Sequence, residues 1–179
     1  MNPLKIIQKY YKPQTKLYRT LVRHSQNVTK KALAIAKNYQ GEKLDLKFIE
    51  ESAMLHDIGI FLTNAPDIGC FGEEHYLRHG YWGGKILRKE GLMAHARVCE
   101  RHLGVGLTKA EIIKNKIPLP KKDFVPKTTA EEIVCLADLF YSKKANLNQE
   151  KTLAEIRSTY QKYGRTQRAR LEKLIKKYL

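Results

Sequence analysis

The stretch AMLHDIGIF, residues 53–61, sets His56 and Asp57 side by side in an otherwise apolar run. An imidazole and a carboxylate are both costly to bury without a partner. Either they form an ordinary polar pair near a helix end, or they hold a cation. His24, His79, His102 and Asp138 raise the same question. His24 shares a three-and-four spacing with Leu21, Val28, Ala32 and Ile35, and His79 with Gly83, Ile86 and Leu87. His102 falls in line with His95 and Cys99, and Asp138 with Val134 and Tyr141. A lone histidine on an apolar stripe is ordinarily a satisfied core residue. That reading is kept for His75 and His95, with His75, at a loop–helix junction, read as a cap or a solvent contact. Six inward imidazoles and carboxylates from five helices, however, call for a common cause, and a divalent metal supplies one. Nitrogen and carboxylate ligands suit Fe, Mn, Co, Ni or Zn better than Ca, which prefers all-oxygen sites.

The elements that must position these groups read as helices, with no convincing strand. Residues 16–39 carry one apolar stripe, the mark of an amphipathic helix. A second helix covers 46–57, with Gly59 read as the left-handed residue that ends it. Residues 62–74, rich in Pro, Gly and Asn, form a loop placed to cover the site as a lid. Helices at 75–90 and 92–103 follow, ending at Gly91 and Gly104. Thr108 with Glu111 reads as a capping box for a helix to Lys116, and Thr129 with Glu132 as another for a helix over 130–144. The proline-bearing stretch 117–128 is an extended connector. Residues 147–178 read as helical and basic, with a break at Gly164.

The 179 residues, 42% of them apolar, suit one domain with a sizeable core. No apolar run is long enough for a membrane span, the first residues lack a secretory leader, and a cytoplasmic location is expected. Three widely spaced cysteines, Cys70, Cys99 and Cys135, argue against a disulfide framework or a thiolate zinc site. The net charge of +16 sits at the ends: residues 1–40 hold nine Lys or Arg and no acid, and residues 161–179 hold seven against Glu172 alone. Such a balance favours an anionic partner, although a charge run is ordinarily just a solvated face.

HDIG at 56–59 resembles the signature of the HD-domain superfamily, in its HDIG subgroup. The order His24, His56–Asp57, Asp138 is similar to that superfamily's H…HD…D metal set over roughly residues 15–145. With His79 and His102 between, the order looks like the dinuclear branch, H…HD…H…H…D. That branch includes diadenosine tetraphosphate hydrolases and di-iron oxygenases. The resemblance implies an all-α fold: a single-domain helical bundle over 15–145 with a basic C-terminal helical extension, 146–179, packed on the same domain. It also implies one or two divalent transition metals, iron first, with Mn, Ni, Co or Zn as alternatives. His24, His56, Asp57 and Asp138 would hold one ion, and His79, His102 and a bridging oxygen of Asp57 the other. Two ions about 3.5–4 Å apart can clamp a phosphoryl oxygen and activate water, which makes Asp57 the residue most tied to catalysis.

The activity implied is metal-dependent hydrolysis of a nucleotide or other small phosphate ester. Arg23 and Arg101, each beside a histidine, and Lys143 and Lys144, about a turn and a half beyond Asp138, are candidate substrate cations. A di-iron oxygenase with the same ligands is the alternative. A nucleic-acid-binding protein with a vestigial metal site is a second alternative, less favoured because no nucleic-acid motif is visible. The charge at Arg19 and Arg23 is expected to lie near the site and that at Arg168 and Arg170 away from it. No membrane partner is expected, and the sequence assigns no oligomeric state.

Overall fold

The computed structural model describes residues 1–143 and 147–179, so Lys144 lies outside the described residues. The helices among them are α1 (Pro3–Gln8), α2 (Lys16–Asn38), α3 (Leu46–Leu55), α4 (His79–Lys89), α5 (Met93–Arg101), α6 (Lys109–Lys114), α7 (Thr129–Asp138), α8 (Leu153–Gln161) and α9 (Gly164–Tyr178). The fold is all-α, apart from a small antiparallel ribbon in which β1 (Asn64–Ala65) pairs with β2 (Cys70–Phe71).

Side-chain caps explain where most helices begin. Thr15, Asp45, Thr108, Thr128 and Thr152 each accept a hydrogen bond from the N–H three residues on, satisfying a donor that the helix cannot. Thr108–Glu111 is the expected capping box, and Thr152–Glu155 is a second. The box expected at Thr129–Glu132 is displaced. Thr128 is the cap of α7, Thr129 bonds Glu42, and α7 stops at Asp138. The C-terminal helices begin only at Leu153, because Thr152 fixes the start there. Gly164, at φ +84°, separates α8 from α9, a backbone shape open to glycine at little cost. The sequence reading missed α1, although Asn2 caps it and Pro3 opens it.

Helix α3 lies at the centre, packed against α1, α2, α5 and α7, while α4 lies along α5 and α8 along α9. One apolar cluster joins Val28, Ala32, Ile49, Ala53, Ile133 and Leu136 to Ile156, Tyr160, Leu171 and Leu174 of the C-terminal helices. A second joins Ile7, Leu21, Leu55, Ile58, Leu87 and Cys99. On α2 the stripe passes from the second cluster at Leu21 to the first at Val28, and His24 stands between them. The loop expected as a lid is instead packed: Ile68 and Cys70 are buried in the second cluster.

Gly59 corrects the sequence reading. Its φ is −88°, so it is not a left-handed terminator. Its need is space, because a Cβ there would come 2.3 Å from the His79 carbonyl oxygen and 2.4 Å from the Gly83 nitrogen. The missing side chain lets the start of α4, and with it His79, close onto the turn that follows His56 and Asp57.

Candidate metal centre

Three of the four inward histidines sit at helix boundaries. His56 is the C-cap of α3, His102 the C-cap of α5, and His79 the first residue of α4 after a 3-10 turn. Carbonyls near a helix end lack intrahelical partners. Here the imidazole three residues on donates to such a carbonyl: Ala53 O from His56 Nδ1 at 2.6 Å, Cys99 O from His102 Nδ1 at 2.7 Å, and Tyr76 O, which also accepts the His79 backbone N–H, from His79 Nδ1 at 2.6 Å. A carbonyl can only accept, so each Nδ1 carries a proton and Nε2 is the nitrogen turned inward, the orientation a metal ligand needs. His24 lies in mid-helix, where the carbonyls are taken. Its Nδ1 is buried without a hydrogen bond, and its Nε2 is 2.9 Å from Asp138 Oδ1.

Asp57, fully buried, divides the cluster in two. Oδ2 lies 3.2 Å from His24 Nε2 and 3.0 Å from His56 Nε2, while Oδ1 lies 3.2 Å from His79 Nε2 and 3.5 Å from His102 Nε2. His24, His56, Asp57 and Asp138 therefore form one group able to hold an ion, and Asp57, His79 and His102 another, with the ligand atoms of each group within 4.8 Å of one another. The donors fit a divalent ion. Asp57 Oδ1 and His56 Nε2 are buried at these short distances without aligned hydrogen bonds, and Asp57 Oδ2 is answered by the Lys143 ammonium. His79 Nε2 and His102 Nε2 approach to 3.1 Å with both Nδ1 protons already committed. A neutral pair would thus set lone pair against lone pair, which only a proton or a cation between them relieves. Burial pushes His102 down to about 4, which disfavours the proton.

The carboxylates are held in the ligand form. Burial alone would raise Asp57, but His56 and Lys143 outweigh it and keep the group well below the usual carboxylate range. Asp138 is held down in the same way, chiefly by Lys143 against burial. Burial opposes charge on His56, yet Asp57 and Asp138 push it up to about 10.

Of the candidate substrate cations, Lys143 reaches the cluster: its Nζ is 2.7 Å from Asp57 Oδ2. Arg101 is engaged elsewhere, donating to both oxygens of buried Glu131 at 2.8 and 2.9 Å, so it joins α5 to α7. Arg23 is exposed and donates to Asn148 at 2.6 Å, fastening α2 to the segment before α8. His95 pairs with Glu51 and His75 caps the 3-10 turn, both as read from the sequence. Tyr76 was missed. It supplies the carbonyl that orients His79, and its ring tilts against the imidazole with centroids 4.8 Å apart. Its place three residues before His79 was the available signal.

The four inward histidines are closed off from solvent, whereas the Asp138 side chain is 15% exposed and lines a groove of about 870 Å³. Tyr76 also lines it. The far wall comes from residues 162–167 at the junction of α8 and α9, so part of the C-terminal charge borders the groove, contrary to the expectation from sequence distance. Arg170, by contrast, is engaged with Glu111 and the Gly106 carbonyl.

Comparison with known proteins places these features in a family. A family model described as HD domain matches residues 21–142. An uncharacterised protein of Methanocaldococcus jannaschii is 35% identical over 119 residues, 65% of this chain and 63% of that protein. A tRNA (cytidine(56)-2'-O)-methyltransferase of Picrophilus torridus is 34% identical over 129 residues, 72% of this chain but 33% of its own length. One of Thermoplasma volcanium is 31% identical over 145 residues, 80% of this chain and 37% of its own. The chain thus spans less than two thirds of each of these relatives. No solved structure matches it. With the family's segment running from the helix of His24 to just beyond Asp138, and so enclosing both candidate ligand groups, the chain belongs to the HD domain family.

Proposed function

We propose that the protein is a metal-dependent phosphohydrolase acting on a nucleotide or other small phosphate ester, with His24, His56, Asp57 and Asp138 holding one ion and Asp57, His79 and His102 a second. The observation that carries this reading is Asp57, whose two oxygens face separate histidine sets in a cluster that meets a groove at Asp138. Iron is the first choice of metal, and Mn, Co, Ni and Zn suit the same donors. When bound, such ions supply an acidified water and a Lewis acid for a phosphoryl oxygen.

The chain's own residues do the rest. The three carbonyl-bound imidazoles keep their Nε2 atoms aimed inward without reorganisation. Asp57 and Asp138 stay anionic. The Lys143 ammonium, held charged because nearby Asp57 outweighs its burial, sets a positive charge where a phosphate would arrive. Burial pushes the Tyr76 hydroxyl up to about 12, so it stays protonated at neutral pH and can donate to a phosphate oxygen.

A link to RNA is a second reading, supported by the names of two relatives. Alignments of 129 and 145 residues are too long to avoid residues 21–142 of this chain, so those tRNA methyltransferases carry a segment like this one within a longer protein. That favours a substrate drawn from nucleotide or RNA phosphate chemistry. The test is a screen of nucleotides, dinucleotides and sugar phosphates with anaerobically purified protein. Phosphate release that disappears in Asp57→Ala supports the hydrolase. Oxygen consumption without phosphate release would turn the assignment to an oxygenase.

A further inference from the structure

We propose that the junction of α8 and α9 is a nucleotide-recognition wall, and that the ligand is an oligonucleotide end rather than a lone phosphate ester. In this arrangement a base stacks on Tyr163 and a phosphate beyond the one at the metals is held by Lys162 and Arg165. The proposal rests on the hydrolase reading only for what happens at the Asp138 end of the groove; its own content is binding.

Three observations carry it. The first is size: small-molecule sites span roughly 300–1,000 Å³, and this groove, at about 870 Å³, is at the upper end. The second is charge. Lys114, Lys151, Lys162 and Arg165 line the groove, and among the described residues none has a carboxylate within ion-pair distance. The two acids on the same surface are already committed, Asp138 to the histidine cluster and Glu111 to Arg170, Gln167 and the Thr108 cap. Four cations around one concavity, with no acid free to answer them, suit a ligand with more than one anionic group.

The third is an exposed aromatic held in place. Tyr163 is 54% exposed, and its ring packs edge-on against buried Tyr160, with centroids 5.4 Å apart at 74°. Lys162 Nζ stands 5.1 Å from its centroid. A fixed aromatic beside cations is a platform for a base, and such a stack is worth about 5- to 150-fold in affinity. This wall lies outside the segment that the family model matches, 21–142.

The experiment uses the full chain with added Mn²⁺ and calorimetric titration of three probes: the diribonucleotide pApA, AMP and glycerol 3-phosphate. The wall predicts that pApA binds about tenfold or more tighter than glycerol 3-phosphate. Tyr163→Ala and the pair Lys162→Ala with Arg165→Ala should each weaken pApA by about tenfold and leave glycerol 3-phosphate unchanged. The pair Arg168→Ala with Lys173→Ala, exposed on α9 but outside the groove, should change neither, and melting temperatures check that all variants fold. Failure of the wild-type protein to bind pApA, equal binding of all three probes, or equal loss from the Arg168 and Lys173 pair would each overturn the wall. Binding that depends on Tyr163 without hydrolysis keeps the wall and sinks the hydrolase; hydrolysis indifferent to Tyr163, Lys162 and Arg165 does the reverse.

Discussion

Asp57 and the glycine two residues after it carry the site between them. Asp57→Ala removes a ligand from both groups and should abolish metal binding and turnover, whereas His79→Ala should chiefly empty the Asp57–His79–His102 half. Metal content per chain, measured beside the rate, checks both; unchanged content in His79→Ala would leave the second half without support. Gly59→Ala acts by a different route. Its Cβ would meet the His79 carbonyl at 2.3 Å, so α4 must shift, at a cost of about 1–3 kcal/mol or more. We expect that variant to melt lower and to lose the second half of the site before the first. The six ligand candidates were legible in the sequence because a charged or imidazole group on an apolar stripe is conspicuous against its neighbours. The role of Gly59 was not. Local sequence offers a terminator reading for any glycine after a helix, and only the approach of α4, some twenty residues on, shows that space rather than φ is what the position needs.

At the scale of elements, two ion pairs, Arg101–Glu131 and Arg170–Glu111, hold the pieces together. Arg101 and Glu131 lie thirty residues apart, so Arg101 could be judged only by its neighbour His102. Glu131 is almost fully buried and also accepts from the Lys127 N–H, so Arg101→Met leaves a buried carboxylate with much of its compensation gone. A loss of about 3–5 kcal/mol is expected, or a fall of roughly 6–20 °C in melting temperature; a lower affinity for substrate with unchanged stability would return Arg101 to the site. Arg170 fastens α9 to α6 through Glu111. Burial raises Glu111, but Arg170, with the Thr108 cap and Gln167, outweighs it and holds the carboxyl at about 2, below its ordinary value of 4.5. A carboxyl depressed on folding stabilises above its unfolded pKa and loses that contribution as pH falls through the folded one. Wild-type protein should therefore exceed Arg170→Ala in melting temperature at pH 6, with the gap closing between about pH 4.5 and 2. A gap independent of pH would mean that Arg170 acts through packing alone. The Thr108–Glu111 capping box and the Gly164 break were readable because they are local, whereas the groove wall required knowing that residues 162–167 line the same groove as Asp138.

For the molecule as a whole, no helix among the described residues is long and apolar enough to cross a bilayer. Stability and metal content should be one problem, because the candidate ligands come from α2, α4 and α7 and the ends of α3 and α5. An ion at a hundred times its Kd would add about 2.7 kcal/mol, or roughly 5–11 °C in melting temperature, and a chelator should remove that gain. A melting temperature indifferent to both would mean that the folded chain does not hold the ion. The central claim is that Asp57 divides one cluster into two metal sites, and metal equivalents bound per chain, measured on anaerobically purified protein titrated with Fe²⁺ or Mn²⁺, address it most directly. The account predicts two equivalents for the wild type, one for the His79→Ala and His102→Ala double variant, and none for Asp57→Ala; a wild-type chain that takes up no metal, or a double variant that binds as much as the wild type, would contradict it.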